Sequence, residues 1–337
     1  MINNTIAFYG DKKYALKRKM GEMRMNSMND QVEKKSKPKK KRTMREISVE
    51  GCEVLGMGGN GAVYRLDDET IVKVYFSKRR GPEEIDRNRE ITKTAFVNGI
   101  PTMIAFDMVR VGENYGVIYE NINAKSLSQE IAAHPEKLDE YARMIVDTMK
   151  KLHSTEFAAG TLPSSKEKLR QDVLITEKAG YYKPEQVKRV LKLVDDIPDR
   201  NTFIHQDFHP GNLMLQNGEI VLIDVDDSGL GHPILDLAAM HMVYVTAAKT
   251  GHKISSLHLT KDQFARVWRI ILEEYFNTKD DKKIAEIERI ISGYAMISLI
   301  KGVATSPNVK NWLRRPVIAV YKRKFFKMID SLHAIPS

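Results

Sequence analysis

The sequence predicts an α+β protein of two lobes, in which a five-stranded antiparallel sheet with one helix is followed by a mostly helical lobe. Runs of β-branched and aromatic residues are concentrated before residue 121, and segments with apolar residues at helical spacing fill most of the rest. A chain of 337 residues is long enough for two lobes and a sizeable core. We therefore divide the chain into a tail (1–43), an N-lobe (44–121) and a C-lobe (122–337).

The tail is strongly basic. Residues 1–43 contain thirteen Lys and Arg against four Asp and Glu, and so carry nine of the ten net positive charges of the chain. With few apolar clusters, this segment cannot offset the entropy cost of ordering, and its composition predicts disorder. The run KKSKPKKKR at 34–42 is also typical of nucleic-acid or nuclear-import patches, but it has no interleaved aromatic residues for base stacking, so nucleic acid is not an expected partner. A solvated tail and a natural start at Met44 both remain open.

The N-lobe contains a glycine-rich loop between two strands. Residues 56–61 read G-x-G-x-x-G, and Lys73 lies in the next β-branched run, 70–76. The glycine pattern alone is a weak signal. A dinucleotide-binding site would need a helix directly after the glycines and an acidic residue about 20 residues later, whereas a strand follows here. The order strand, glycine loop, strand and lysine-bearing strand is that of protein kinases.

The predicted elements of the N-lobe follow in order. They are strands at 46–55, 61–67 and 70–76, a helix at 82–98, and two further strands in the segments PTMIAFDMVRV (101–111) and YGVIYEN (115–121).

A second motif carries the candidate chemistry. Residues 205–212 read HQDFHPGN, and 223–227 read IDVDD. Phosphoryl transfer needs one carboxylate to orient the acceptor hydroxyl, and oxygen ligands to hold a metal ion on the phosphates. Asp207 fits the first role, and Asn212 and Asp224 fit the second, because Mg²⁺ prefers a few hard oxygen ligands. Asp226 is either a second metal ligand or a surface or structural carboxylate.

The C-lobe is predicted to consist of helices. They are expected at 126–133, 139–155, within 160–200, and at 234–249, 261–277, 281–303 and 308–332. The apolar stretch 290–300 is eleven residues long, which is too short to span a membrane and indicates a buried helix. His153 is predicted to be a packed residue at a helix end, and the basic residues of 308–332 to form a solvated face.

These motifs together resemble a known family. The segments 56–63, 149–154 (MKKLHS), 204–215 (IHQDFHPGNLML) and 222–238 (LIDVDDSGLGHPILDLA), with Lys73, are similar to the aminoglycoside phosphotransferase and choline kinase-like small-molecule kinases, which share the protein-kinase fold. The resemblance covers roughly residues 46–335. It is specific for the fold and not for the substrate.

The resemblance implies a role for each matching residue. Gly56, Gly58, Gly61 and Val63 would cover the phosphates of the nucleotide. Lys73 would contact the α- and β-phosphates and pair with a helix glutamate, either Glu90, which matches best, or Glu84. The backbone of Glu120 and Ile122 would contact the nucleobase. Asp207 would be the catalytic base, and Asn212 and Asp224 would hold Mg²⁺. Asp236 would brace the catalytic loop.

The expected function is transfer of the γ-phosphoryl group of ATP or GTP, with Mg²⁺, to a hydroxyl group of a small molecule. Only eleven residues separate Asp224 from Asp236, which leaves little room for a peptide-docking segment and favours a small acceptor. A narrower alternative is an aminoglycoside-modifying kinase, whose polycationic substrate would need carboxylates. The acidic candidates for that site are Glu273, Glu274, Asp280 and Asp281.

An alternative of another class is a nucleotide-binding regulatory pseudokinase. Pseudokinases usually lack the lysine, the base or the metal-binding aspartate, and this chain has all three. The single cysteine, Cys52, fits a reducing compartment, and no apolar signal segment or membrane-length apolar run is present, so we expect a cytoplasmic protein without a membrane partner.

Overall fold

The structure is a computed structural model that describes residues 44–58, 61–76, 81–250 and 257–335. The predictions made for the basic tail, residues 1–43, fall outside the described residues, as does the tip of the glycine-rich loop at 59–60.

The N-terminal part is a five-stranded antiparallel sheet with one helix, as predicted. The strands are β1 (Val54–Gly58), β2 (Gly61–Arg65), β3 (Thr70–Tyr75), β4 (Ala105–Val111) and β5 (Asn114–Glu120). They lie in the order β1-β2-β3-β5-β4, and each neighbouring pair is antiparallel. Lys73 is opposite Val63 on β2 and Val117 on β5, so the lysine lies at the centre of the sheet, beside the glycine-rich hairpin.

The first strand begins later than predicted. We expected it at residue 46, but β1 begins at Val54 and continues into the glycine-rich loop as far as Gly58. The reason is a turn in the preceding segment, where Cys52 N donates to Val49 O (3.1 Å) and Gly51 has a φ of 78°. This left-handed conformation suits glycine and interrupts an extended chain.

Helix α1 (Pro82–Val97) packs between the sheet and the C-terminal part. A proline in its first turn suits a helix start, because the missing N–H would have no partner within the helix. Its buried residues include Asn88 and Thr92, one turn apart, and it contacts β4 and the short 3₁₀ turn Val225–Asp227. The helix therefore presents the Asn88 and Thr92 face towards the loop that carries Asp224.

The C-terminal part is mostly helical, which confirms the predicted class. Its helices are α2 (Leu127–Ala133), α3 (Leu138–Ser154), α4 (Ser165–Lys178), α5 (Pro184–Asp195), α6 (Ile234–His241), α7 (Lys261–Tyr275), α8 (Asp281–Thr305) and α9 (Asn311–Met328). Ser126 and Gln129 form a capping box that fixes the start of α2. Further 3₁₀ turns lie at Pro135–Lys137, Pro210–Asn212 and Ile329–Ser331.

The helix predicted at 234–249 is not uniform. It passes from α6 into a π-helical segment, Met242–Ala247, and ends in the short helical segment Ala248–Thr250. Within the π-helical segment, Tyr244 stacks on Trp268 of α7 with ring centroids 5.9 Å apart. A π-helical segment of six residues inside a longer helix is too short for the hydrophobic periodicity of the sequence to reveal.

The largest core joins the helices of the C-terminal part. The apolar stretch 290–300 forms the middle of α8, and its side chains at Ile291, Ile297 and Ile300 are fully buried. The prediction of a buried helix is thus confirmed. In the part of the chain that the structure describes, no helix is both long and apolar enough to cross a membrane.

Two small sheets position the loops of the candidate site. Their strands are β6 (Lys125–Ser126), β7 (Thr202–Ile204), β8 (Leu213–Gln216), β9 (Glu219–Leu222) and β10 (Gly229–Gly231). Strand β7 runs directly into the loop of Asp207. The β8–β9 hairpin connects the loops of Asn212 and Asp224, and Ile223 N donates to Asn212 O (3.0 Å). The hairpin therefore brings the two predicted metal ligands together.

Candidate active site

A cavity of about 420 Å³ lies between the sheet and the C-terminal loops, and it collects most of the predicted site residues. From the N-terminal part it is lined by the loop glycines, by Val63 and by Lys73, and from the C-terminal part by four aspartates, Asp207, Asp224, Asp226 and Asp227. Predicted residues that are about 150 positions apart in sequence thus share one cavity. Glycine at position 61 is required by close packing, because a Cβ there would collide with the carbonyl oxygen of Val74.

A second cavity of about 330 Å³ adjoins the first and is mainly apolar. Its apolar lining consists of Leu55, Val63, Ile71, Met103, Tyr119, Ile122, Met214, Ile223 and Val225. Glu120, at the end of β5, is fixed by a backbone hydrogen bond from its N–H to Ile104 O (2.9 Å). Ile122 N donates no hydrogen bond within the described residues, so this group remains for a ligand in the apolar cavity.

The loop of Asp207 is held by hydrogen bonds from Asn212. The amide Nδ2 of Asn212 donates to the backbone oxygen of Asp207 (2.9 Å) and to its carboxylate Oδ2 (3.1 Å). His209 Nε2 lies 3.6 Å from Asp207 Oδ1, and His209 Nδ1 accepts from Gly211 N (3.1 Å). Because Nδ2 faces Asp207, the amide oxygen of Asn212 is the atom that remains for a cation.

Asp236 braces this loop from the start of α6. Its carboxylate accepts from His205 N (3.0 Å), from Gln206 N (2.5 Å) and from His153 Nε2 (3.1 Å). Gln206 has a φ of 66°, a conformation that non-glycine residues rarely adopt and that these bonds sustain. Burial alone would raise the pKa of Asp236, but the hydrogen bond from His153 and the neighbouring His205 outweigh it, so the pKa lies below its usual range.

The sequence interpretation gave His153 a packing role only. The structure confirms that it is buried at the end of α3, and it also gives the residue two polar partners. Besides Asp236, the ring contacts the hydroxyl of Tyr275 through Nδ1 (2.8 Å). The sequence signal for such a link is weak, because the three residues come from three separate helices.

Asp224 is suited to hold a metal ion. It has a left-handed φ of 59°, and its side chain is 48% exposed at the cavity. Among the described residues, no group of three or more His, Cys, Asp or Glu side chains could hold a metal by themselves. Mg²⁺ in phosphoryl-transfer sites is usually held by one or two protein oxygens together with the phosphates. The carboxylate of Asp224 and the amide oxygen of Asn212 fit such a donor set.

The prediction that Lys73 pairs with Glu90 is wrong. Lys73 Nζ contacts the carboxylates of Asp224 and of Asp226, the latter at 3.0 Å. Glu90 instead pairs with Arg89 (2.6 Å) and Lys93 (3.8 Å) on the exposed side of α1. Residues two positions apart lie on nearly opposite sides of a helix, so Glu90 faces away from the side defined by Asn88 and Thr92.

Glu84, the second candidate, is one turn before Asn88 and shares its face of α1. The contacts of Lys73 are nevertheless with the two aspartates.

Two buried tyrosines complete the surroundings of Lys73, and sequence reasoning missed both. Tyr75 Oη donates to Asp226 Oδ2 (3.0 Å), and the hydroxyls of Tyr75 and Tyr119 are 3.3 Å apart. Burial and the negative charge of Asp226 raise the pKa of both tyrosines. Strand alternation offered a signal for one of them, because Lys73 and Tyr75 are two residues apart on β3 and therefore share a face.

The acidic residues proposed for a polycationic substrate do not line either cavity. Glu273 and Asp281 both pair with Arg269, at 2.5 and 2.7 Å. Glu274 lies 3.9 Å from Arg143, and Asp280 caps the start of α8. Three of the four thus have an arginine as an ionic partner, and the fourth caps a helix.

Two other buried histidines lead to a prediction about acid stability. Burial lowers the pKa of His232 and of His241 to about 4. In the unfolded chain their pKa is near 6.5, so between pH 6.5 and 4 the unfolded state binds protons that the folded state does not. We expect the free energy of unfolding to fall as the pH decreases through this window, by roughly 2–3 kcal/mol for each histidine.

Urea unfolding at a series of pH values measures this effect. In the His241→Gln variant the slope of stability against pH should be smaller between pH 6.5 and 4, because one titrating group is absent. Equal slopes for the two proteins would contradict the assignment.

Comparisons with known proteins identify the family and the fold. The sequence profile of the phosphotransferase enzyme family matches residues 52–252. The GDP complex of a mutant of aminoglycoside 2'-phosphotransferase-IIIa has 14% identity and a TM-score of 0.51, and the alignment covers 85% of this chain and 94% of that chain. A choline/ethanolamine kinase family protein from Mesorhizobium loti has 13% identity, a TM-score of 0.48 and coverage of 85% and 88%.

An aminoglycoside-3'-phosphotransferase of type VIII has 17% identity and a TM-score of 0.47, with coverage of 71% of this chain and 92% of that chain. No curated protein sequence matches this chain. The likeness to the aminoglycoside 2'-phosphotransferase-IIIa structure, at 14% identity, shows the fold alone, and the family is shown by the sequence profile, which matches more than half of the residues. The chain belongs to the phosphotransferase enzyme family, as a small-molecule phosphotransferase with a bilobal, protein-kinase-like fold.

Proposed function

We propose that this protein transfers the γ-phosphoryl group of ATP or GTP to a hydroxyl group of a small molecule. The observation that carries the proposal is the convergence of the loop glycines, Lys73, Asp207 and Asp224 on one cavity. The loop glycines would cover the phosphates and Lys73 would supply a cation. Asp207 is the candidate general base, and Asp224 is the candidate metal ligand. We place the N-lobe at residues 44–121 and the C-lobe from residue 122, with the cavity between them.

The nucleotide would occupy both cavities. Its nucleobase would occupy the apolar cavity, which Ile122 lines, and would accept a hydrogen bond from Ile122 N. Its phosphates would lie under the β1–β2 hairpin, whose loop glycines let the backbone approach closely. Mg²⁺, held by Asn212 and Asp224, would offset the negative charge that the phosphates carry during transfer.

Lys73 would lie against the phosphates as a permanent cation. Burial lowers the pKa of this lysine, but the carboxylates of Asp226 and Asp224 more than compensate, so the pKa lies above its ordinary value. The ammonium group is therefore charged at any pH at which the enzyme would work.

Asp207 would orient the acceptor hydroxyl and accept its proton. Asn212 fixes one oxygen of this carboxylate, while the side chain remains 45% exposed towards the cavity. With the phosphates bound by the other residues, most of the rate enhancement would come from positioning and electrostatic stabilisation. The short connection between Asp224 and Asp236 favours a small acceptor over a peptide.

The test is nucleoside diphosphate release by the purified protein with Mg-ATP or Mg-GTP and pooled acceptors. The pools contain sugars, nucleosides, amino alcohols, choline-like amines and aminoglycosides, the last being the compounds for which several structural neighbours are named. We expect release that depends on one pool and on Mg²⁺, and that is lost in the Asp207→Asn variant. Release that is equal in every pool, or that persists in the variant, would contradict the proposal.

A further inference from the structure

We propose that Asp226 is the residue that positions Lys73 for the nucleotide phosphates, in place of a helix glutamate. This inference rests on the proposed function. It assigns a role that the sequence left open, since Asp226 was either a metal ligand or a structural carboxylate.

The contacts of Asp226 are those of a buried anchor. Its side chain is 7% exposed, and Oδ2 accepts from Lys73 Nζ and from Tyr75 Oη, both at 3.0 Å. Since Tyr75 donates to Asp226, the hydroxyl of Tyr119 can donate to Tyr75 in turn. A buried ion pair is well held only when further hydrogen bonds satisfy the charged groups, and the two tyrosines contribute to this.

Among the described residues, the carboxylates in contact with Lys73 are those of Asp224 and Asp226, and neither belongs to helix α1. Glu90 is 55% exposed and pairs with Arg89 and Lys93. The part of α1 that reaches the apolar cavity is Thr92, a neutral residue. The loop after β9 thus provides the carboxylates that contact Lys73.

The two aspartates that contact Lys73 differ in their exposure. Both aspartates line the cavity, but the side chain of Asp224 is 48% exposed and that of Asp226 only 7%, so Asp224 is the more accessible to a metal ion. A carboxylate that coordinates Mg²⁺ is less able to neutralise a lysine. Asp226 would therefore keep Lys73 in place when Asp224 is engaged with the metal, through the oxygen Oδ2 that accepts from Lys73 and from Tyr75.

The experiment is nucleotide binding measured by isothermal titration calorimetry, with Mg²⁺ and with EDTA, together with steady-state kinetics. Asp226→Asn keeps the size of the side chain and removes its charge. We expect this variant to weaken nucleotide binding by at least about tenfold both with and without Mg²⁺, because a charge-assisted hydrogen bond is lost. The matched exchange on α1, Glu90→Gln, should leave binding and kcat/KM unchanged.

A double-mutant cycle separates positioning from a structural role. In a Lys73→Ala background, Asp226→Asn should have little further effect on nucleotide binding, since the residue acts through the lysine. Tyr75→Phe, which removes one bond to Asp226, should weaken binding by a few-fold in the wild-type background only. Thermal unfolding of each variant checks that the fold is retained.

Several outcomes would overturn the inference. Loss of affinity in Asp226→Asn only when Mg²⁺ is present would make Asp226 a metal ligand. An equal loss in the wild-type and Lys73→Ala backgrounds would make it a structural residue, and unchanged affinity would remove the role. If the wild-type protein bound no nucleotide, both the proposed function and this inference would fail. If the wild-type protein bound nucleotide and a variant gave one of the three results above, only this inference would fail.

Discussion

Replacing Asp207 with Asn should nearly abolish phosphoryl transfer and leave nucleotide binding intact. The amide preserves the size of the side chain but cannot accept the proton of the acceptor hydroxyl. A positioned general base contributes roughly 10²–10⁴-fold to a rate, so we expect kcat to fall by about that factor. The dissociation constant of the nucleotide should change by less than about threefold, because Asp207 faces the acceptor and the phosphates are held elsewhere.

Single-turnover kinetics and equilibrium binding measure the two quantities separately. The control is Asp330→Asn, the same chemical change at a surface carboxylate that pairs with Arg189. Near-normal turnover in the Asp207 variant would show that another group performs the proton transfer. A parallel loss of nucleotide binding would show that Asp207 acts mainly on the nucleotide.

Replacing Asp236 with Ala should destabilise the protein and inactivate it. The substitution would leave the backbone N–H groups of His205 and Gln206, and the ring of His153, without their buried acceptor. An unsatisfied buried donor costs about 1–3 kcal/mol, so we expect a loss of at least about 3 kcal/mol in the free energy of unfolding. Without these bonds the loop can leave the conformation that presents Asp207, and transfer should fall further than stability alone explains.

Chemical denaturation and kcat at a temperature where the variant is folded measure these effects. Tyr275→Phe is the graded control, because it removes only the outer hydrogen bond to His153 and should cost about 1 kcal/mol. If Asp236→Ala were no less stable than Tyr275→Phe, the proposed brace would not exist.

Local patterns were sufficient for the fold and for the residues that belong to short motifs. The spacing of apolar residues identified the five strands and most helices. A strand or helix that buries one face has apolar residues at the spacing of that element. The loop of Asp207 and Asn212 could be located from the sequence because the two side chains interact across five positions. The cavity then brings Asp207 together with Lys73 of the sheet.

The partner of Lys73 could not be found in the same way. Glu90 and Glu84 are both acidic positions in α1, and only the packing of that helix decides which face is turned towards the cavity. The contact between Lys73 and Asp226 spans 153 positions and depends on the approach of the loop after β9 to the sheet. The start of β1 depended likewise on a single turn at Gly51. Convergence of distant side chains is a property of tertiary packing, which local patterns do not encode.

The most direct test of the central claim follows the γ-phosphoryl group itself. The protein is incubated with Mg²⁺, γ-³²P-labelled ATP or GTP and the acceptor pools, and the products are separated into inorganic phosphate, protein and small-molecule fractions. The account predicts label in a small-molecule phosphate ester, formed with one pool and absent with Asp207→Asn. Label found only in inorganic phosphate or on the protein, with every pool and both nucleotides, would contradict it.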